Sequence, residues 1–214
     1  MDEEISIITS ETRKEKIINF FQNNKKKLFS ILAIIILIPI IFYSYKIYTT
    51  GHKERLADKY NSAIINYENG EESKVIVTMK EIINDKDKTY SPLALYFLID
   101  NGMSVSNEEI NKFFDIIINK VNLDQEMKYL IIYKKGLFNS EFVDEITLIK
   151  ILNPIINSES IWKSHGLYLM AEYFYSKKEK IKSKDFYEKI ITLDNANPDI
   201  KIEAQKKLNR DFSE

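Results

Sequence analysis

The chain has 214 residues, of which 31 are basic and 32 acidic, so its formal net charge is −1. Nucleic-acid-binding domains usually carry a marked basic excess, and this near-balance argues against a nucleic-acid partner. The sequence contains no cysteine, which excludes disulfide bonds and thiolate chemistry. The part of the chain after residue 48 is long enough to bury one continuous core without metals or crosslinks.

The most apolar segment is an uncharged run of 18 residues from Leu28 to Tyr45. As an α-helix this run is about 27 Å long, close to the hydrocarbon thickness of a bilayer. Lys46 can direct its charge towards the interface, which lets the span continue to Tyr48. A buried core helix and a cleaved signal peptide are the alternatives, but the apolar region of a signal peptide is usually only about 7–15 residues long. The sequence therefore predicts a transmembrane helix over residues 28–48.

Basic residues beside this span predict its orientation. Six lie within residues 13–27 and four within residues 46–60, and three of the first group directly precede the span: Lys25, Lys26 and Lys27. Positive charge next to a transmembrane helix favours the cytoplasmic side of the membrane. We therefore take these three lysines as topology determinants. They predict a cytoplasmic tail over residues 1–27 and a larger domain, residues 53–214, on the other side.

The larger domain shows the apolar periodicity of α-helices throughout. Its clearest apolar stripe consists of Ile110, Phe113, Phe114, Ile117, Ile118 and Val121. Ser106 and Glu109 form a capping box, in which Ser106 caps the helix and the Glu109 side chain reaches back to it. No alternating run is long enough to indicate a strand, so the expected fold class is all-α.

The predicted helices recur in pairs. The first helices of successive pairs are expected to begin near residues 53, 90, 124 and 160, and a last helix over 198–211 ends the series. Three glycines fall where these first helices should end, and a left-handed C-cap favours glycine there: Gly70, Gly102 and Gly136. A period of about 34 residues is typical of tetratricopeptide repeats, which stack into a solenoid. The predicted fold is thus a transmembrane helix followed by a tetratricopeptide-like helix-pair solenoid, with a generic helical bundle as the alternative.

The order and length of these parts resemble the YfgM-like family, ancillary subunits of the bacterial Sec translocon. The resemblance covers nearly the full chain. It includes the segment Phe20-Phe21-Gln22-Asn23-Asn24 before the span, the first helix through Tyr60, Asn61 and Ala63, the pair Thr89-Tyr90, and Trp162. It implies a single-pass protein of the bacterial inner membrane, with a cytoplasmic N-terminus and a periplasmic C-terminal domain. It also implies association with Sec translocon subunits and periplasmic chaperones.

Residue types that support catalysis or metal binding are few. His52 and His165 are far apart in the sequence and have no cysteine beside them, so no metal site is expected. The chain has neither a glycine-rich phosphate loop nor a Gly-x-Ser-x-Gly nucleophile motif. We therefore expect no enzymatic activity, no cofactor and no small-molecule substrate.

The expected function is protein binding at the membrane. If Trp162 and Gly166 hold their usual places in a tetratricopeptide helix, then Lys163, Leu167 and Met170 face the concave groove and contact a partner. The anchor confines such a platform beside its partners and raises its effective concentration there. We expect the platform to assist Sec-dependent export by linking the translocon to periplasmic chaperones or emerging clients. The alternative is a scaffold for another envelope complex, in division or outer-membrane assembly.

Overall fold

All regular elements in the computed structural model, which describes residues 2–212 of the backbone, are α-helices. Side chains are described for residues 14–16 and 18–212. The all-α prediction is therefore confirmed for this part of the chain. Its nine helices are α1 (Asp2–Glu68), α2 (Glu72–Asn84), α3 (Tyr90–Asp100), α4 (Asn107–Lys120), α5 (Gln125–Asn139), α6 (Glu145–Ile156), α7 (Lys163–Ser176), α8 (Lys180–Ile191) and α9 (Pro198–Asp211).

The chain divides into two compact units, an N-terminal unit Met1–Arg55 and a C-terminal unit Leu56–Glu214. Helix α1 supplies the described part of the N-terminal unit and the first helical residues of the C-terminal unit. The sequence predicted a separate helix that begins near residue 53, whereas residues 53–68 are the last part of α1. Gly51 lies at the expected break, but one glycine inside a helix costs only about 1 kcal/mol. The helical hydrogen bonds therefore continue through it.

Helix starts in the C-terminal unit lie close to the predicted positions. Helix α3 begins at Tyr90, α5 at Gln125 and α9 at Pro198, while α7 begins at Lys163, three residues later than expected. At α5 and α9 a side-chain cap explains this agreement, because a capping oxygen satisfies a backbone N–H group that has no partner inside the helix. Four helices begin after such a residue: Ser106, Asp124, Asp144 and Asn197.

The predicted capping box at the start of α4 is only half formed. The Ser106 hydroxyl accepts a hydrogen bond from the Glu109 N–H at 3.2 Å, as expected. The Glu109 carboxylate does not reach back to Ser106, but lies 2.7 Å from the Lys80 ammonium on α2. The charged partner on the neighbouring helix forms the stronger, charge-assisted hydrogen bond. This contact therefore joins α2 to α4.

Two of the three predicted C-cap glycines have the expected conformation. Gly70 and Gly102 have φ values of 78° and 59°, in the left-handed region. Gly136 lies inside α5, where it is buried, so its predicted role at a helix end is wrong. A Cβ atom at Gly136 would lie 2.5 Å from Cδ2 of Leu152 on α6. The missing side chain of Gly136 therefore allows α5 to pack closely against α6.

Gly136→Ala is expected to lower the free energy of unfolding by about 1–3 kcal/mol, the usual cost of overpacking a core. Urea unfolding of the full chain in detergent measures this through the fluorescence of Trp162, the single tryptophan of the sequence. Gly51→Ala is the matched control, because a Cβ atom there meets no atom within 4 Å. An equal effect of both substitutions would contradict the close-approach explanation.

The core of the C-terminal unit forms a series of three clusters along the chain. The first joins residues 56–68 of α1 to α2, α3, α4 and α5, and includes the fully buried Phe114. The second lies between α5, α6 and α7, and the third between α7, α8 and α9. Helices α2 and α4, α5 and α7, and α7 and α9 are also in contact. Each helix is therefore covered mainly by helices near it in the sequence.

Helix α9 ends this series with a mostly polar surface. Ala204 is its buried residue, and it packs in the third cluster. Asn197 caps the helix by accepting hydrogen bonds from the N–H groups of Asp199 and Ile200. The other side chains of α9 are partly or fully exposed.

Candidate functional site

A continuous apolar surface covers α1 around residues 28–45. Its large apolar side chains from Phe29 to Tyr45 are more than half exposed, with Phe29 at 72 % and Ile41 at 65 %. Soluble monomers rarely expose contiguous apolar patches larger than a few hundred Å². Among the described residues, α1 is the helix that is long and apolar enough to cross a membrane.

The two ends of this apolar surface differ in chemistry. Before it, Lys25, Lys26 and Lys27 are exposed and form no ion pair with another described residue. Along the sequence, the nearest acidic residues are Glu15 and Glu54. The other end carries exposed aromatic side chains, as is typical of a membrane interface: Phe42, Tyr43, Tyr45 and Tyr48.

Of the three predicted partner-binding residues on α7, two are buried. Lys163 is half-buried in the first turn of the helix. Leu167 is 6 % exposed in the third core cluster, and Met170 is fully buried in the second. The expectation that Leu167 and Met170 face an open groove is therefore wrong. With Ala171 and Phe174 they form the apolar stripe by which α7 packs on its neighbours, because residues at these spacings share one side of a helix.

The half-exposed side of α7 carries a different row of residues. His165, Tyr168, Glu172 and Tyr175 recur every three or four positions and are all partly exposed. This row can be recognised in the sequence, because its members lie between those of the apolar stripe and recur at the same helical spacing. The repeat pattern thus predicts exposure for the side of α7 that is buried.

An aromatic cluster joins this side of α7 to α5. The ring of Tyr133 stacks on that of Trp162, with centroids 5.9 Å apart and planes at 22°. The His165 ring lies 4.9 Å from Trp162 and 5.7 Å from Tyr133, measured between centroids. Aromatic contacts of this kind stabilise beyond the area that they bury. The cluster therefore fixes α5 against α7.

Two further half-buried tyrosines lie on α3 and on α7. On α3, the ring of Tyr96 lies below the Lys134 ammonium of α5, at 5.7 Å from the ring centroid. On α7, Tyr168 contacts Tyr187 of α8 with ring centroids 5.6 Å apart. We call the partly exposed members the aromatic face: Tyr96, Tyr133, Trp162, His165 and Tyr168. Its members lie on α3, on α5, and on or just before α7.

The ionisable groups of the aromatic face are uncharged at neutral pH. Burial lowers the pKa of His165, an effect that the Ile161 carbonyl partly opposes. Burial and the nearby Glu172 carboxylate raise the pKa of Tyr168 to about 12. The face therefore offers apolar rings and neutral hydrogen-bonding groups, a combination that suits a protein segment.

The lowered pKa of His165 predicts a pH-dependent stability. Below the ordinary histidine pKa of about 6.5, the unfolded chain binds a proton at this side chain that the folded chain does not. The free energy of unfolding should therefore fall as the pH drops through this value, and continue to fall until the lower folded-state pKa is reached. Urea unfolding at pH 7.5 and 5.5, followed by circular dichroism, compares the native chain with His165→Gln. A pH dependence that is the same in both proteins would exclude His165 as its source.

A concave surface, the α4–α6 groove, lies between α4, α5 and α6 and has a volume of about 570 Å³. Two of its lining amides, Asn111 and Asn139, bond to each other through N–H···O contacts of 3.0 and 2.8 Å. Lys135 lies 2.7 Å from Asp115, and Phe142 is exposed at the rim. Small-molecule sites usually have several polar groups that converge on the ligand, whereas these polar groups bond to one another. The Asn111–Asn139 and Asp115–Lys135 contacts therefore join α4 to α5.

The histidines lie in separate environments. His52 lies beside Arg55, with 3.5 Å between Nδ1 and a guanidinium nitrogen, and His165 belongs to the aromatic face. Among the described residues, no group of three or more His, Asp or Glu side chains could hold a metal ion.

No protein-family profile, curated protein or solved structure matches this chain.

Proposed function

We propose that the chain is a single-pass membrane protein whose C-terminal unit binds proteins beside the membrane. The observation that carries this proposal is the exposed apolar surface of α1, in the same chain as a helical unit with its own core. Transferring such a surface from water into lipid is strongly favourable, at roughly 1.5–3 kcal/mol for each large apolar side chain. Tethering then raises the concentration of the C-terminal unit near membrane-bound partners.

Contacts between alternate helices support a tetratricopeptide-like solenoid. The Lys182 ammonium of α8 lies 2.7 Å from the Glu145 carboxylate of α6. The Asn197 N–H, at the start of α9, donates to the Ser164 hydroxyl of α7 at 3.2 Å. Helix pairs that stack in a solenoid bring each helix against the one two places further along. The pairs α2 and α4, α5 and α7, and α7 and α9 show the same relation.

The basic residues before the span support a cytoplasmic N-terminus. Lys25, Lys26 and Lys27 are exposed and uncompensated, as the positive-inside tendency requires. In a bacterium, the C-terminal unit would then lie in the periplasm at the inner membrane. The resemblance to YfgM-like proteins supports the same arrangement.

That resemblance also suggests the partners, namely Sec translocon subunits and periplasmic chaperones. The aromatic face is the surface that we assign to them, with Lys163 at its edge. Tyrosine and tryptophan provide large amphipathic contact areas and are enriched at protein interfaces. The C-terminal unit would hold chaperones or emerging clients beside the export channel, without a chemical step.

Affinity purification of the tagged full chain from gently solubilised membranes tests this function. Translocon subunits or periplasmic chaperones should co-purify stoichiometrically, and the chaperones should be lost from a chain that retains only residues 1–55. Recovery of a division or outer-membrane assembly complex instead would favour the envelope-scaffold alternative.

The aromatic face is tested by Trp162→Leu combined with Tyr168→Leu. This change should reduce the recovered partner about tenfold or more, because truncating a central aromatic contact often costs over 1.4 kcal/mol. Phe142→Leu is the matched control, since it removes an exposed ring from the α4–α6 groove. Urea unfolding of both variants separates weaker binding from weaker folding. Unchanged recovery with the double variant would exclude the aromatic face as the contact surface.

A further inference from the structure

Among the described residues, the basic residues at the start of the apolar surface have no counter-charge nearby. Between Glu15 and Glu54 the sequence has six lysines and no acidic residue. Three of these lysines are consecutive, Lys25 to Lys27, and all three are exposed on α1 without an ion pair among the described residues. The described part of the chain therefore leaves their charges open to external counter-ions.

Helix geometry indicates what kind of counter-ion fits. Consecutive residues of an α-helix point about 100° apart and rise 1.5 Å each. The three ammonium groups therefore spread over about 200° of the circumference, at nearly one level along the axis. A protein partner contacts one side of such a helix, whereas lipid headgroups surround it.

The position of the lysines also favours lipid. Leu28 begins the uncharged run directly after Lys27, so the ammonium groups lie at the boundary where a bilayer has its phosphates. Lysine clusters directly beside a transmembrane helix bind anionic headgroups. The opposite end has Tyr43, Tyr45 and Tyr48 with only Lys46 among them, so it lacks a comparable cluster of positive charge.

We propose that Lys25, Lys26 and Lys27 form a binding site for the phosphate groups of anionic phospholipids. Several lipids would occupy it at once, arranged around α1. The site would hold α1 at a fixed depth and favour anionic lipid in the leaflet on the N-terminal side. This inference rests on the membrane anchor proposed above and is independent of the protein partners.

The test uses the purified full chain in phosphatidylcholine nanodiscs that contain traces of spin-labelled phosphatidylglycerol or spin-labelled phosphatidylcholine. Electron paramagnetic resonance measures the immobilised fraction of each label and hence the relative affinity for the anionic lipid. The native chain should prefer phosphatidylglycerol, and this preference should weaken at high salt. Changing the three lysines to Gln should reduce it by up to about fivefold for each lysine. Changing them to Arg should preserve it, because guanidinium binds phosphate at least as well.

A control variant removes the same charge elsewhere, by changing Lys74, Lys112 and Lys206 to Gln. Each is exposed and already pairs with a glutamate of the C-terminal unit, so the lipid preference should not change. The proposal is overturned if the triple Gln variant at residues 25–27 keeps the preference, or if the Arg variant loses it. A native chain that does not enter nanodiscs overturns the anchor as well. Failure to co-purify the translocon would instead affect only the proposed function.

Discussion

Ile36→Asp combined with Leu37→Asp is expected to release the protein from membranes. Both residues lie at the middle of the apolar surface of α1, where each is more than half exposed. A carboxylate at the centre of a transmembrane helix costs about 2.5–3.5 kcal/mol on the insertion scale. On the same scale each neighbouring large apolar side chain favours insertion by only about 0.3–0.6 kcal/mol, so two carboxylates should outweigh them. Alkaline carbonate extraction measures the result, with the native chain in the pellet and the double variant in the supernatant.

The matched control is Ile36→Val combined with Leu37→Val, which changes side-chain size without adding charge and should stay in the pellet. Circular dichroism checks that the released double variant keeps its helical C-terminal unit. A double Asp variant that stays in the carbonate-resistant fraction would contradict the assignment of α1 as the anchor.

Phe114→Ala is expected to lower the free energy of unfolding of the C-terminal unit by about 3–5 kcal/mol, as is usual for a buried phenylalanine. Phe114 is fully buried in the first core cluster, and its ring lies 6.0 Å from that of Phe138, measured between centroids. The loss is a large part of the 5–15 kcal/mol that stabilises a typical domain. Urea unfolding of the full chain, followed by circular dichroism, measures it.

Phe142→Ala is the control because it lies in the same run of aromatic contacts. The Phe142 ring is 5.3 Å from Phe138, yet 47 % of the residue is exposed. Its removal should cost much less than removal of Phe114, since less apolar area returns to water. Equal costs for the two substitutions would mean that the first core cluster is not packed as described.

Features determined by residues close in sequence could be predicted well. The starts of α5 and α9 follow from local capping and from Pro198 at the first turn of its helix. The left-handed Gly70 and Gly102 follow from the freedom of glycine at helix ends. The uncharged run from Leu28 to Tyr45 likewise identifies the candidate anchor by length and composition alone.

Features that depend on neighbouring helices could not be predicted in this way. The position of Gly136 in the sequence suggests a helix end. In the structure Gly136 lies inside α5, where the absence of a Cβ atom makes room for Leu152. Leu167 and Met170 are buried against neighbouring helices, whereas the repeat pattern predicts that they face an open groove. Glu109 bonds to Lys80 of another helix, a partner that its own capping motif does not reveal.

The most direct test of a membrane-anchored platform is the side of the membrane on which each part of the chain lies. Because the chain has no cysteine, Asn23→Cys and Glu159→Cys each introduce a single thiol at an exposed position, before the span and in the C-terminal unit. A membrane-impermeant maleimide is added to intact spheroplasts and to lysed ones. We predict that Glu159→Cys is labelled in intact spheroplasts and Asn23→Cys only after lysis. Labelling of both thiols on the same side, or of Asn23→Cys alone in intact spheroplasts, would contradict the account.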